Sequence, residues 1–222
     1  MSLSIVIPTY NRKRFSEIIS LNIRSQTYPF IKEVIVADDG DDAERLVLDV
    51  PYTLLYYKVP RMSIGAKRNF LISKSSGDYI AHIDSDDLYY PEYLSRSIFN
   101  LIKSGKSVSG SADMNMYSLE TKKTYNQKCI YLDMLNEATM VYKKSFADTH
   151  KFADSMSSEG LSFLSGSLAD IHETDIDSIM VCISHESNTV CKKNWCKDEF
   201  SKTLDMSKYE KHLISLGIVY AC

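Results

Sequence analysis

The sequence predicts an α/β fold built on a mostly parallel sheet, and three observations carry that prediction. Short apolar runs alternate with segments of helical periodicity through roughly the first hundred residues, and such alternation produces βαβ units. Polar clusters follow the apolar runs at Thr9-Tyr10-Asn11-Arg12, at Asp38-Asp39-Gly40-Asp41-Asp42 and at Asp84-Ser85-Asp86-Asp87. In parallel sheets, ligands bind just beyond the carboxyl ends of the strands, where these clusters fall. A length of 222 residues, without linker, repeat or low-complexity tract, fits one domain over residues 1–222.

Taken in order, residues 3–8 read as a first strand, with Pro8 ending its pairing. Residues 12–26 place Phe15, Ile18, Ile19 and Ile23 at helical spacing. A strand over 33–37, a short helix over 41–48 and a third strand over 53–58 follow. Residues 63–75 form a helix carrying Phe70, Leu71 and Ile72. Tyr79, Ile80, Ala81 and Ile83 suit a buried strand over 79–83, flanked by Gly77 and by a turn at Leu88-Tyr89-Tyr90-Pro91. Pro91 then opens a helix over 91–103. In the second half, 107–118 and 123–131 read as an extended pair joined by a polar turn at 119–122. A short strand over 138–142, a short helix over 159–164 and a late buried strand over 179–183 complete the middle. Leu204, Tyr209, Leu213 and Leu216 share a face in a terminal helix over 198–216.

Composition narrows the function classes. Hydrophobic residues at 44% and charged residues at 25% describe a soluble globule. A net charge of −3 supplies no basic field for nucleic acid, so an anionic ligand must be met by local Lys and Arg. No apolar run approaches the ~20 residues that span a bilayer, and the apolar start is too short for a signal peptide. Cys129, Cys182, Cys191, Cys196 and Cys222 are odd in number and scattered. That pattern predicts free thiols in a reducing, cytoplasmic compartment. Cys191 and Cys196 with His185 match no closed zinc spacing.

The most informative run is Gly77 to Asp87, a strand leading into three carboxylates. Asp84 and Asp86 share one side of an extended chain, and Asp87 points away. Two such groups repel unless a cation joins them. Hard oxygen ligands suit Mg²⁺ or Mn²⁺, and those ions suit a phosphate-bearing substrate. A solvated acidic turn is the alternative for this run alone.

Four blocks carry a family resemblance: Ser4-Ile5-Val6-Ile7-Pro8-Thr9-Tyr10-Asn11-Arg12, Val34-Ile35-Val36-Ala37-Asp38-Asp39-Gly40, Gly65-Ala66-Lys67-Arg68-Asn69, and Gly77 to Asp87. Their order resembles that of GT-A nucleotide-sugar glycosyltransferases close to glycosyltransferase family 2, over about the first 100 residues. A looser likeness, in His185-Glu186-Ser187-Asn188-Thr189, is to domains encoded by large algal viruses. The resemblance implies a Rossmann-like, mostly parallel central sheet flanked by helices, with a smaller antiparallel acceptor-side portion. Residues 1–105 would form the nucleotide-sugar-binding half, and 106–222 the acceptor side with its C-terminal helix. It further implies a UDP-sugar donor, a glycan or glycoconjugate hydroxyl as acceptor, and Mn²⁺ or Mg²⁺ as cofactor.

The same resemblance assigns residues. Pro8, Thr9, Tyr10, Asn11 and Arg12 would belong to the UDP-sugar site, with Thr9, Tyr10 and Asn11 placed for the nucleobase, although Thr9 or Asn11 could instead cap the following helix. Asp39 would accept the uracil imino hydrogen, with Asp38 as substitute. Arg61, Lys67 and Arg68 would neutralise pyrophosphate. Asp84 would contact the ribose or partner the metal indirectly, Ser85 would join the UDP-sugar-binding set, Asp86 would ligate the metal directly, and Asp87 is left open, with a cap for the helix near Pro91 as its plain role. Glu159 is expected as the base, with Asp154 in reserve; a plain helix-start role fits Glu159 as well, because Gly160 follows it where the family pattern has Gly first. His185 would add to the metal or diphosphate. A nucleotidyltransferase is the alternative enzyme, although it usually has Gly in the loop after strand one; a non-catalytic nucleotide-sugar-binding module is the other. No Gly-x-Gly-x-x-Gly follows the first strand, which argues against a dinucleotide-binding domain.

Overall fold

A computed structural model describes residues 1–128, 134–189, 192, 195–209 and 213. The strands are β1 (Leu3–Thr9), β2 (Ile31–Asp38), β3 (Thr53–Lys58), β4 (Tyr79–His82), β5 (Leu88–Tyr89), β6 (Val108–Gly110), β7 (Met114–Ser118), β8 (Thr124–Gln127), β9 (Val141–Lys143), β10 (Ile171–Glu173) and β11 (Met180–Ser184). The helices are α1 (Ser16–Arg24), α2 (Ile64–Lys74), α3 (Tyr93–Ser104), α4 (Lys144–Thr149) and α5 (Gly160–Leu164). A seven-stranded sheet runs β10-β6-β9-β4-β1-β2-β3, and a four-stranded sheet runs β5-β11-β7-β8. In the large sheet only β9 runs against its neighbours. The small sheet has antiparallel β5–β11 and β7–β8 pairs around a parallel β11–β7 pair.

Alternation along β1 builds both faces of the large sheet. Leu3, Ile5 and Ile7 pack with Ile18, Ile19 and Ile23 of α1 and with Leu94, Ile98 and Leu101 of α3. Val6 points the other way, joining Ile35, Ala37 and Ile80 against Leu71 and Ile72 of α2. Helices on both faces explain why β1 and β2 are nearly continuous apolar runs. Register places Thr9 beside Asp38 and Val6 beside His82. The three polar clusters therefore emerge along one edge.

Glu33 stitches the opposite edge. Its Oε1 accepts from Ser4 Oγ at 2.6 Å, Ser76 N at 2.7 Å and Ser76 Oγ at 2.9 Å. Burial opposes its ionisation, but the hydrogen bonds from Ser4 and Ser76 outweigh it and hold the carboxyl below its ordinary value. A depressed folded value stabilises the fold above the unfolded chain's value, near 4.5, and that stability is lost as pH falls through the folded value. Glu33→Gln is expected to cost about 1 kcal/mol at neutral pH and to flatten the acid limb of a stability–pH curve. Urea titrations from pH 3 to 7 read both effects.

Several elements differ from expectation. Residues 41–48 hold only a 3₁₀ turn, Asp42–Glu44; Leu46 is buried while Val47 is 62% exposed, so no apolar stripe supports a helix. The stretch 107–118 splits, β6 joining the large sheet and β7 the small one, with the Ser111 N–H taken at the break by Thr139 Oγ1 at 2.8 Å. Residues 88–91, expected as a turn, contribute β5, which pairs with β11. The strand over 138–142 is a 3₁₀ turn, Glu137–Thr139, followed by β9. Helix α4 and strand β10 had no clear sequence signal. Over residues 198–209 the expected terminal helix is replaced by 3₁₀ turns at Asp198–Phe200 and Ser207–Tyr209, while Leu213 is helical. Between them Ser201 bridges Tyr125 and Lys202 N–H donates to Thr124 O at 3.0 Å, so pairing with β8 displaces helix there. Tyr209 and Leu213 still reach the core. The rest of that expected helix, and the end of the expected strand over 123–131, lie outside the described residues.

Candidate active site

At the end of β1, Thr9 is buried and its Oγ1 has no hydrogen-bond partner. Such an atom faces a desolvation cost unless a ligand meets it. Beside it Asp39, whose side chain is fully buried, pairs with Lys67 Nζ. Asp39 also accepts from Arg61 Nη1 at 3.2 Å and from the Met62 N–H at 3.1 Å. Arg61 lies over the ring of Tyr10 at 3.7 Å, so this pair covers Asp39. Pro8 and Ser85 are buried in the wall. Asn11 takes a left-handed φ of 53°, which Asn tolerates, and its Oδ1 accepts the Asp41 N–H at 2.7 Å. Its amide therefore joins the two loops. Asp38 is occupied as well, accepting from Gly40 N at 2.9 Å and Tyr56 Oη at 2.6 Å.

Two expected phosphate cations turn inward. Lys67 and Arg68 are each 3% exposed. Lys67 Nζ also donates to Thr9 O at 2.9 Å, and burial lowers its pKa against the pull of Asp39. Arg68 donates from Nε to Glu159 Oε1 at 3.0 Å, from Nη1 to His82 Nδ1 at 2.6 Å and from Nη2 to Asp84 Oδ1 at 3.2 Å. Every nitrogen of its fork is used inside the protein. Arg68 thus organises the carboxylates of Glu159 and Asp84. Arg61, with a side chain 53% exposed, is the cation of this segment that solvent reaches.

The acidic run divides by role. Asp86 Oδ2 accepts from Arg12 Nε at 3.0 Å and from His185 Nε2 at 3.2 Å. Burial opposes its charge, but the His185 hydrogen bond and the charges of Arg12 and Lys192 prevail, holding the carboxyl well below the usual range. Burial raises the pKa of Asp84 against the charge of Arg68, with Asp86 adding to the rise. Asp87 is pushed up to about 7, by burial and by Asp86 and Asp84, against Lys192. It caps no helix: its Oδ1 accepts the Ile183 N–H of β11 at 2.9 Å, pinning the small sheet to the large one.

His185, expected at the metal or diphosphate, is hydrogen-bonded at both ring nitrogens. Its Nδ1 faces two donors, Arg14 Nη2 and Ser187 N, each at 3.2 Å. Nδ1 must accept, so in the neutral ring the proton sits on Nε2 and points at Asp86. Asn188 Nδ2 donates to Ile183 O at 3.1 Å and lies 3.0 Å from the protonated Nε2 without donating to it. Burial lowers the His185 pKa, which favours this neutral form. A metal-ligating imidazole needs an acceptor at its other nitrogen, and here it has donors. His185 positions Asp86.

Glu159 precedes α5 and is 4% exposed. The Gly after it has a physical reason. Gly160 N–H donates to Glu137 Oε1 at 2.9 Å, and a Cβ at 160 would lie 2.7 Å from that oxygen. Glu137 has a raised pKa, from burial and from Glu159, with Arg68 opposing. Asp154, the reserve base, accepts instead from Ser63 Oγ at the start of α2. Gly65 lets the two segments touch, its N–H donating to Ser155 O at 3.2 Å. Sequence reasoning missed Glu137, His82, Arg14 and Lys192. His82 lies within the run from Gly77 to Asp87 without a sign of its partner, and the tertiary fold brings in Glu137, Arg14 and Lys192, which no local motif marks. Cys182 and Cys196 are free, as expected. Among the described residues no three His, Cys, Asp or Glu side chains cluster as a metal site, and no helix is long and apolar enough to cross a membrane.

Acids thus gather at the carboxyl ends of β2 and β4, beside the run from Thr9 to Arg12 that leaves β1, along one edge of the large sheet. The profile described as Glycosyl transferase family 2 matches residues 4–155, and the chain belongs to that family. An uncharacterized glycosyltransferase of Rickettsia typhi is 32% identical over 98 residues, covering 43% of this chain and 30% of that protein. Glycosyltransferase GlyA of Streptococcus pneumoniae is 27% identical over 96 residues, covering 41% and 14%. The chain thus spans under a third of the length of these curated relatives. Among solved structures, Staphylococcus aureus TarS 1-349 in complex with UDP-GlcNAc superimposes with a TM-score of 0.61 at 16% identity, covering 85% of this chain and 60% of that one. The mannosyltransferase PcManGT of Pyrobaculum calidifontis, in complex with GDP-Man and Mn²⁺, gives 0.58 at 17% identity, covering 87% and 58%. These likenesses establish the GT-A fold.

Proposed function

We propose that the chain transfers a sugar from a UDP-sugar to a hydroxyl of a glycan or glycoconjugate, with Mn²⁺ or Mg²⁺ held at Asp86. The observation that carries this is the strand-end edge itself: the orphaned Thr9 Oγ1 and Asp39 at one end, the ionised Asp86 at the other. Asp39 and Tyr10 serve the uracil, once Arg61 lifts from Tyr10 and turns to the diphosphate. Asp84 and Ser85 stand beside the ribose. The donor set suits a hard divalent cation, because Asp86 Oδ1 has no partner among the described residues. An ion bound there would draw charge from the departing nucleoside diphosphate. The TarS complex with UDP-GlcNAc and the PcManGT complex with Mn²⁺ support the reading by analogy of fold.

Glu159 is assigned the base that takes the proton of the attacking hydroxyl. Arg68 holds its carboxylate at a fixed distance from Asp84, so the two acids share one rigid support. Glu159→Gln keeps the size and most hydrogen bonds, and transfer is expected to fall about 10²–10⁴-fold with UDP affinity unchanged. The test is radiolabelled transfer alongside a UDP titration. A rate within a few-fold of wild type would remove Glu159 from the reaction and favour a mechanism without a protein base.

A further inference from the structure

Arg12 sits where a charge is least expected to help a metal. Its Nε binds Asp86 Oδ2 at 3.0 Å, and the two side chains are 9% and 14% exposed. It cannot swing away cheaply, since Nη2 donates to Ser187 O at 2.8 Å and Nη1 to Tyr10 O at 3.1 Å. Asp86 Oδ2 is filled by this guanidinium and by His185, and Oδ1 has no partner among the described residues. We infer that Arg12 is a fixed counter-cation of Asp86 that makes divalent-metal binding conditional on the nucleotide diphosphate. The inference rests on the metal assignment above and goes beyond it.

The physical reasoning is short. A carboxylate already neutralised by a buried guanidinium offers a second cation little net charge, and two cations on one carboxylate repel. Diphosphate oxygens restore the missing negative charge and supply further hard ligands. The metal then binds well only with the nucleotide, and by linkage each ligand strengthens the other equally. Arg12 thus reaches beyond the base pocket, joining the β1 loop, the metal carboxylate and the Ser187 backbone.

The test is Mn²⁺ binding by the full chain, read from the electron paramagnetic resonance signal of free Mn²⁺, with and without UDP. Wild type is expected to bind Mn²⁺ at least tenfold more tightly with UDP present. Arg12→Gln and Arg12→Met are expected to bind Mn²⁺ alone at least tenfold more tightly than wild type does. Arg12→Lys, which keeps the charge, should stay within about threefold of wild type. Equal wild-type affinity with and without UDP would overturn the inference even if no variant folds, and so would unchanged affinity in the two uncharged variants. Absence of Mn²⁺ binding under every condition, UDP included, would overturn the metal assignment first and this inference with it.

Discussion

Asp86→Asn is expected to abolish measurable transfer, lowering kcat/KM by about 10²–10³-fold or more, some 3–4 kcal/mol of transition-state stabilisation. The carboxylate is the one acid of its run held firmly ionised, with an oxygen open among the described residues. The amide keeps the shape and loses the charge. It also leaves the buried Arg12 guanidinium without its counter-ion, which costs about 1–3 kcal/mol of folding stability. Steady-state transfer, together with a melting curve taken with and without Mn²⁺, separates the two effects. The variant should fold, melt somewhat lower and show no stabilisation by Mn²⁺ with UDP. Retained Mn²⁺-dependent transfer would move the metal to another residue.

Arg68→Met carries the largest expected stability effect. One buried guanidinium bonds Glu159, His82 and Asp84. Removing it leaves two carboxylates facing each other near Glu137, with no cation between them. Breaking a buried pair in this way costs about 3–5 kcal/mol, which for a chain of this size lowers Tm by about 10 °C. Buried Arg68 has its charge strengthened, because Asp84 and Glu159 outweigh the burial that opposes it. Arg68→Lys should fall between the two, since an ammonium cannot span three acceptors in one plane. Calorimetry of both variants checks the order. A loss below about 1 kcal/mol for Arg68→Met would show that the acids are neutralised some other way.

The fold and the site were legible in the sequence to different depths. Strands β1 to β4 and helices α1 to α3 announced themselves, because residues such as Ile18, Ile19 and Ile23 repeat with the period of the element they form. The acids at strand ends followed from that alternation. What each side chain does there was less legible. Lys67 and Arg68 sit on α2 in a motif that reads as phosphate-binding, and only the packing of α2 on the sheet shows them turned inward. His185 reads as a ligand until Arg14 and Ser187 are placed at its Nδ1. Glu137 and Lys192 belong to distant segments, and no spacing along the chain could relate them to the acidic run; His82 lies inside that run, but only the fold shows it facing Arg68. In the second half β6, β9 and β10 are three residues long, too short for a hydrophobic period to declare itself.

The central claim is that this edge holds a uridine diphosphate and a divalent cation together, Asp39 at the base and Asp86 at the metal. Isothermal titration of UDP and of GDP into the full chain, with Mn²⁺ and again with EDTA, tests it most directly. UDP is expected to bind with Mn²⁺, to weaken at least tenfold in EDTA, and to lose affinity in Asp39→Asn. GDP binding more tightly than UDP, or UDP binding indifferent to Mn²⁺, would contradict the account.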